Sequence, residues 1–241
     1  QYAFGRALSE KTGQKLLFDN TYFNEVKEGT IRQYELNKFA AEANCSVPFF
    51  IRNAIDVKYR YTKNKLQRLS RKLLKVFSIL KPIHFFDEVF FRYDEQILFN
   101  CKTGINYYDG YWQTPKYFNS IRSILLEELQ IKASLSPISL ALSESIRKEN
   151  AISIHVRRGD YALNKETNSF HGLCTRDYYQ QAIRLLIKEE VNPCFYIFSD
   201  DMVWTKANVK IEDRPVHYIE HTSNETNYED LYLMSICKHH I

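Results

Sequence analysis

The amino-acid sequence predicts an α/β protein built on parallel sheets, and two observations carry that reading. From about residue 150 onward, short apolar runs of strand length alternate with amphipathic stretches of helical period. That order covers both faces of a parallel sheet with helices. Within it, Ile152, Ile154 and Val156 alternate with Ser153, His155 and Arg157, the period of two of a strand, and Gly159 ends the run.

In chain order, QYAFGRALSEKTG places Tyr2, Ala3, Ala7 and Leu8 at helical spacing, with Gly13 positioned to close the helix. KLLFD, at 15–19, reads as a short strand, so the chain opens inside a βα unit. From Lys58 to Lys81 every charged residue is basic, and Leu66, Leu69, Leu73, Leu74, Phe77 and Leu80 recur three and four apart. This is a basic amphipathic helix. Its default reading is a solvated outer face; the second is contact with an anionic membrane surface or acceptor.

IHFFDEVFFRYDEQILF has mixed period and reads as strand or loop. Tyr111, Trp112, Tyr117 and Phe118 crowd beside Gly110, either as core packing or as a platform for a sugar ring. NSIRSILLEELQIK is a helix starting at Asn119 or Ser120, and 137–148 form another. SIRKENA, at 145–151, is the best linker, dividing the chain into a first domain at 1–148 and a second domain at 149–241. Beyond the Ile152 strand, Thr175 caps RDYYQQAIRLLIKEE, Pro193 breaks it, and CFYIFSDD follows as an apolar strand. A short helix through Trp204 and Val209, a strand at 216–220 and a helix over 227–238 complete the series.

Composition narrows the chemistry. The balance of 33 basic against 29 acidic residues gives a net charge of +4, too small to imply nucleic acid. The basic helix also lacks the interleaved aromatic residues on which bases would stack. The seven glycines form neither G-x-G-x-x-G nor G-x-x-x-x-G-K-[ST], so side chains would have to hold any phosphate. Five widely spaced cysteines show no zinc or C-x-x-C pattern and read as free thiols of a reducing cytoplasm. No apolar run reaches the roughly 20 residues of a membrane span.

Three predicted strands end in polar groups: His155-Val156-Arg157-Arg158, Ser199-Asp200-Asp201 and Glu220-His221. Parallel strands bring these ends to one edge, where open α/β sheets bind ligands. Guanidinium forks suit phosphate oxygens, and a carboxylate can accept from the adjacent N–H donors of guanine, so this edge could hold a guanosine diphosphate. Because neighbours on a strand face opposite ways, one arginine can meet the ligand while the other braces the loop. Asp201 is also well placed as a helix N-cap, and the Asp200-Asp201 pair could hold magnesium in a metal-dependent sugar-nucleotide transferase. Arg158-Gly159-Asp160 spells an adhesion tripeptide, which opens the alternative of a secreted adhesion or carbohydrate-binding module.

HVRRGDY, FYIFSDD and EDLYLMSICKHHI, with QYAFGRAL in front and GYWQTPKYF between, resemble the bacterial α-1,2-fucosyltransferases of glycosyltransferase family 11 from end to end. The resemblance implies a GT-B type fold of two Rossmann-like domains with parallel sheets. It also implies inverting transfer of L-fucose from GDP-fucose to a galactoside 2-hydroxyl, in surface polysaccharide or oligosaccharide synthesis, with no metal. The family's opening strand and glycine-rich turn would precede Gln1 and a further block would follow Ile241, so both domains are expected to be truncated. Carried over by position, Arg157 and Arg158 hold the pyrophosphate. His155, Ser199, Asp200 and Asp201 lie near the guanosine, and Asn227 and Asp230 serve the ribose or phosphate end. Asp160 is the candidate base, with pairing to an arginine as its structural alternative. Two adjacent guanidiniums would lower its pKa and weaken it as a base. The expected setting is cytoplasmic, with peripheral contact at the inner membrane face through the basic helix.

Overall fold

A computed structural model describes residues 1–24, 33–48, 51–52, 55, 82–159, 172–223 and 225–241. The basic helix expected at 58–81 and the candidate base Asp160 lie outside the described residues. The chain divides into two compact units, Gln1–Gln130 and Ile131–Ile241.

In the first unit, helix α1 (Tyr2–Thr12) ends as its glycine predicts. Gly13 takes φ 66° and donates its N–H to the Ser9 carbonyl at 2.8 Å. KLLFD is not a strand. Its leucine serves the helix instead, since a Cβ on Gly5 would lie 2.9 Å from Leu16 Cδ1, and Phe18 stacks on Tyr2.

Strands β1 (Ile83–Asp87) and β2 (Ile105–Asp109) pair in parallel, Ile83 opposite Ile105 and Asp87 opposite Asp109. The sequence reading marked no strand at β2, only the aromatic cluster that follows it. That cluster is mostly core: Phe4, Trp112 and Tyr117 are buried, Phe4 stacking on Trp112 at 4.3 Å between centroids with Tyr117 edge-on. Tyr111, by contrast, is 60% exposed beside Phe91. Helix α2 (Arg122–Glu128) begins later than expected, because a 3₁₀ turn occupies Asn119–Ile121.

The second unit opens with helix α3 (Pro137–Lys148). Ser136 caps it by accepting from the Ser139 N–H, and Pro137 supplies the preset first turn. There follow β3 (Asn150–Val156), α4 (Arg176–Glu189) with its Thr175 cap, β4 (Pro193–Ser199), α5 (Met202–Asn208), β5 (Val216–Ile219), α6 (Asn227–Ser235) and β6 (His239–His240). The unit boundary lies at 130/131, so α3, read from sequence as the end of the first domain, packs instead with β3 and α6. Helix α6 stops at Ser235 rather than running to Lys238, because Lys238 and Ile241 donate to the Ala151 and Ser153 carbonyls at 2.9 Å and begin β6.

The four strands are parallel in the order β5-β4-β3-β6. The chain steps one way from β3 to β5 and then crosses back to the far side of β3. This reversal is the switch point of a Rossmann-like half, where ligands bind beyond the strand ends. Ile152, Ile154, Val156, Phe195 and Ile197 pack with Tyr179 and Ile183 of α4, while Ala151, Cys194, Tyr196 and Phe198 pack with Ile146 and Leu233 on the other face. Burial on both faces explains why β4 is apolar without alternation. Truncating Ile154 or Ile197 to Ala would cost about 2–5 kcal/mol through lost burial and the cavity left behind.

Candidate active site

The arginines lie at the carboxyl end of β3, at the strand-order reversal. Strand alternation sends them apart. Arg158 follows Val156 toward the α4–α5 face, and its guanidinium carbon lies over the Trp204 ring, 3.8 Å from the centroid. Its side chain is only 17% exposed, and Nε stands 3.9 Å from Asp201 Oδ2. Arg157 is more open, at 41% exposed, and pairs through one Nη with Asp200 Oδ2 at 2.8 Å. The sequence reading had one arginine meeting the ligand and one bracing the loop. In the structure Arg158 is the packed one.

Asp200 joins the two. While Oδ2 holds Arg157, Oδ1 accepts the Arg158 backbone N–H at 2.7 Å, clamping the ends of β3 and β4 together. Gly159 packs closely beside it: a Cβ there would stand 3.0 Å from Asp200 Oδ2, so the carboxylate would have to shift by a few tenths of an ångström. Asp201 Oδ1 accepts the Trp204 N–H at 3.0 Å, so the N-cap reading holds and the cap fixes the ring on which Arg158 rests. Ser199 ties the layer together, donating to the Val156 carbonyl at 2.9 Å, accepting from the Asp201 N–H and meeting Thr205 Oγ1 at 2.8 Å.

His155 emerges one residue before the strand ends, its N–H held by the Ile241 carbonyl at 3.0 Å. The protein around its ring lowers its pKa, against the pull of Asp200 and Asp230 and with the push of Arg157. Asp230, on the first turn of α6, accepts from Thr222 at 3.1 Å, while its Oδ1 is buried without a hydrogen-bond partner. Burial raises its pKa, against Thr222, His221 and His155. Arg158 Nε is likewise buried without a hydrogen-bond partner. Asn227 is exposed at the start of α6.

Three features were not read from the sequence. One is Trp204 as the arginine's platform, although its spacing of three from the capping Asp201 was visible. Another is Glu229, 2% exposed, which accepts from the Ser136 N–H at 3.1 Å and from the Ser136 hydroxyl at 2.7 Å. It also accepts from the Ser139 hydroxyl, which meets His221 Nε2 at 2.7 Å. Burial alone would raise the Glu229 pKa, but these hydrogen bonds outweigh it and hold the carboxyl below its ordinary value. The third is how His221, flagged only as a strand end, is locked to α3 and α6 by this network.

A parallel sheet carrying guanidinium donors at its switch point is consistent with GT-B-like α/β architecture, and the family match makes the class a glycosyltransferase. The chain belongs to glycosyl transferase family 11, whose family model matches residues 32–241. The Alpha-1,2-colitosyltransferase of Escherichia coli is 32% identical over 100% of this chain and 78% of its own length. The O-antigen biosynthesis glycosyltransferase WbnK of Escherichia coli is 30% identical over 100% of this chain and 81% of its own. The Galactoside 2-alpha-L-fucosyltransferase SEC1 of Bos taurus is 27% identical over 54% of this chain and 37% of its own. No solved structure matches.

Proposed function

We propose that this glycosyltransferase moves L-fucose from GDP-fucose to the 2-hydroxyl of a terminal galactoside, inverting the anomeric centre without a metal, in the synthesis of a surface polysaccharide or oligosaccharide. The observation that carries this reading is the pair of guanidiniums fixed on either side of the β3 carboxyl end by Asp200 and Trp204. Breaking the sugar–phosphate bond builds negative charge on the departing diphosphate, and donors already in place stabilise it without reorganising. Arg157, the more open, meets the diphosphate oxygens; Arg158, whose Nε makes no hydrogen bond and only a 3.9 Å ion pair with Asp201, adds its charge from the Trp204 platform. Asp230 Oδ1, buried and open, suits a hydroxyl or N–H donor of the nucleoside.

The acceptor hydroxyl attacks from the opposite face of the sugar. An oxocarbenium-like transition state needs little help from a base, so the low basicity of Asp160 is no obstacle. The metal-dependent alternative fits less well. Both Asp200 oxygens are committed to the arginines, whose charge opposes a divalent cation at that edge. The adhesion alternative fits poorly too, because Arg158 packs on Trp204 instead of projecting. The free cysteines suit a reducing compartment, in keeping with a cytoplasmic enzyme touching the inner membrane face through 58–81.

The colitosyltransferase relative favours a second donor, since colitose is fucose lacking its 3-hydroxyl. A pocket built to hydrogen-bond that hydroxyl would reject colitose strongly, whereas an apolar one would accept both. The test incubates the full protein in EDTA with GDP-fucose or GDP-colitose and a panel of galactosides, with linkage analysis of the products. A fucosyl-α-1,2-galactoside is expected. Transfer from GDP-colitose alone would replace the donor, and transfer from neither would overturn the proposal.

A further inference from the structure

The opposite edge of the same sheet carries a second constellation. Glu149 immediately precedes β3, Cys194 is the second residue of β4 and His217 the second of β5. Alternation and register put all three on one face: Ala151 pairs with Cys194, and Tyr196, two residues on, pairs with His217. Their ligand atoms (a carboxylate oxygen, Cys194 Sγ and an imidazole nitrogen) lie within 4.8 Å of one another. Tyr196 completes the group. Its hydroxyl donates to Glu149 Oε2 at 2.6 Å and its ring stacks on His217 at 4.8 Å between centroids.

We propose that Glu149, Cys194 and His217 form a zinc site that ties together the amino ends of β3, β4 and β5. Sulfur, nitrogen and oxygen donors at one point are the set that zinc takes, at about 2.3, 2.0 and 2.1 Å, with water in a fourth position. Tetrahedral ligands around such an ion stand about 3.3–3.6 Å apart, so the cluster must close by about 1 Å, within reach of small side-chain rotations. Tyr196 supplies the outer hydrogen bond that orients a ligating carboxylate. Without metal the thiol keeps its proton, because burial and the neighbouring Glu149 push its pKa up to about 12. Zinc binding would displace that proton to solvent as the Zn–S bond forms, so affinity should rise with pH. Along β4 the site lies about 20 Å from Asp200, so metal-free transfer at the arginine rim is unaffected.

The experiment compares the full protein with Cys194→Ser and His217→Gln. Metal content is measured after growth with zinc, and the metal-free forms are titrated with Co²⁺. The expected result is one zinc per chain, a thiolate-to-cobalt charge-transfer band in the near ultraviolet, and a Tm raised by roughly 5 °C with zinc. The band should vanish in Cys194→Ser, and zinc content should fall at least tenfold in His217→Gln, which changes a side chain at the strand edge and keeps the fold. Substoichiometric zinc with no band in the parent protein, or undiminished zinc in His217→Gln, would overturn the proposal.

Discussion

Replacing Asp200 with Asn isolates the clamp on which the arginine geometry depends. The amide can still accept the Arg158 N–H through Oδ1, but it then turns an NH₂ group toward Arg157 where a carboxylate oxygen now stands at 2.8 Å. Arg157 is 41% exposed and Asp200 25%, so solvent screening limits the lost ion pair to about 1 kcal/mol. Weakening the charge-assisted bond to the backbone N–H adds about 1 kcal/mol. Together these predict a Tm lower by roughly 5 °C. If the same interactions hold Arg157 against the developing diphosphate charge, kcat/KM falls about 10-fold or more. Thermal melts and a GDP-release assay at fixed acceptor read the two effects. In the Arg157→Ala background the Asp200→Asn change should cost less activity, since the two act as one unit. A variant within twofold of the parent in kcat/KM, or fully additive with Arg157→Ala, would show that Asp200 does not position the arginine.

Three further outcomes follow from the same geometry. Trp204→Ala removes a cation–π contact of about 1 kcal/mol and should raise the donor KM about 5-fold, with Trp204→Phe recovering most of it; an unchanged KM in the alanine variant refutes the platform role. Asp230 has a raised pKa, so just above the ordinary carboxylate range the folded state holds a proton that the unfolded chain has lost, and stability falls as pH rises through that window. Asp230→Asn should therefore keep or raise Tm at neutral pH while lowering transfer, and melts across the acid range should lose that slope; a lower Tm at pH 7 contradicts the assignment. Glu229 is the reverse case: its lowered pKa contributes stability above its ordinary value that is lost as pH falls through the folded value. Glu229→Gln should cost about 2 kcal/mol, seen as a Tm drop of roughly 4–8 °C, and an unchanged Tm refutes the network's role.

Local rules carried much of the fold into the sequence. Alternation marked β3, the Thr175 start marked α4, and Asp201 announced its cap, because each signal lies within a few residues of the backbone it shapes. What failed was decided at long range. KLLFD has strand-like content but is recruited to cover α1, and β6 is two residues long, defined by pairing with β3 and not by composition. The division at 130/131 escaped notice because α3 carries no local mark of which sheet it will cover. The candidate site was legible in its ionic parts, since Arg157, Arg158 and Asp200 sit at strand ends. The packing of Arg158 on Trp204 and the Ser136–Ser139–Glu229 network join residues that only the folded chain brings together. The same holds for Glu149, Cys194 and His217, whose sequence separations match no metal-binding spacing.

The central claim, that guanidinium groups at the sheet edge take up the leaving diphosphate's charge, is tested most directly by turnover of Arg158→Ala with GDP-fucose and a galactoside acceptor. Loss of one transition-state donor predicts kcat lower by about 10²-fold or more with the fold retained. Full turnover in that variant would contradict the account.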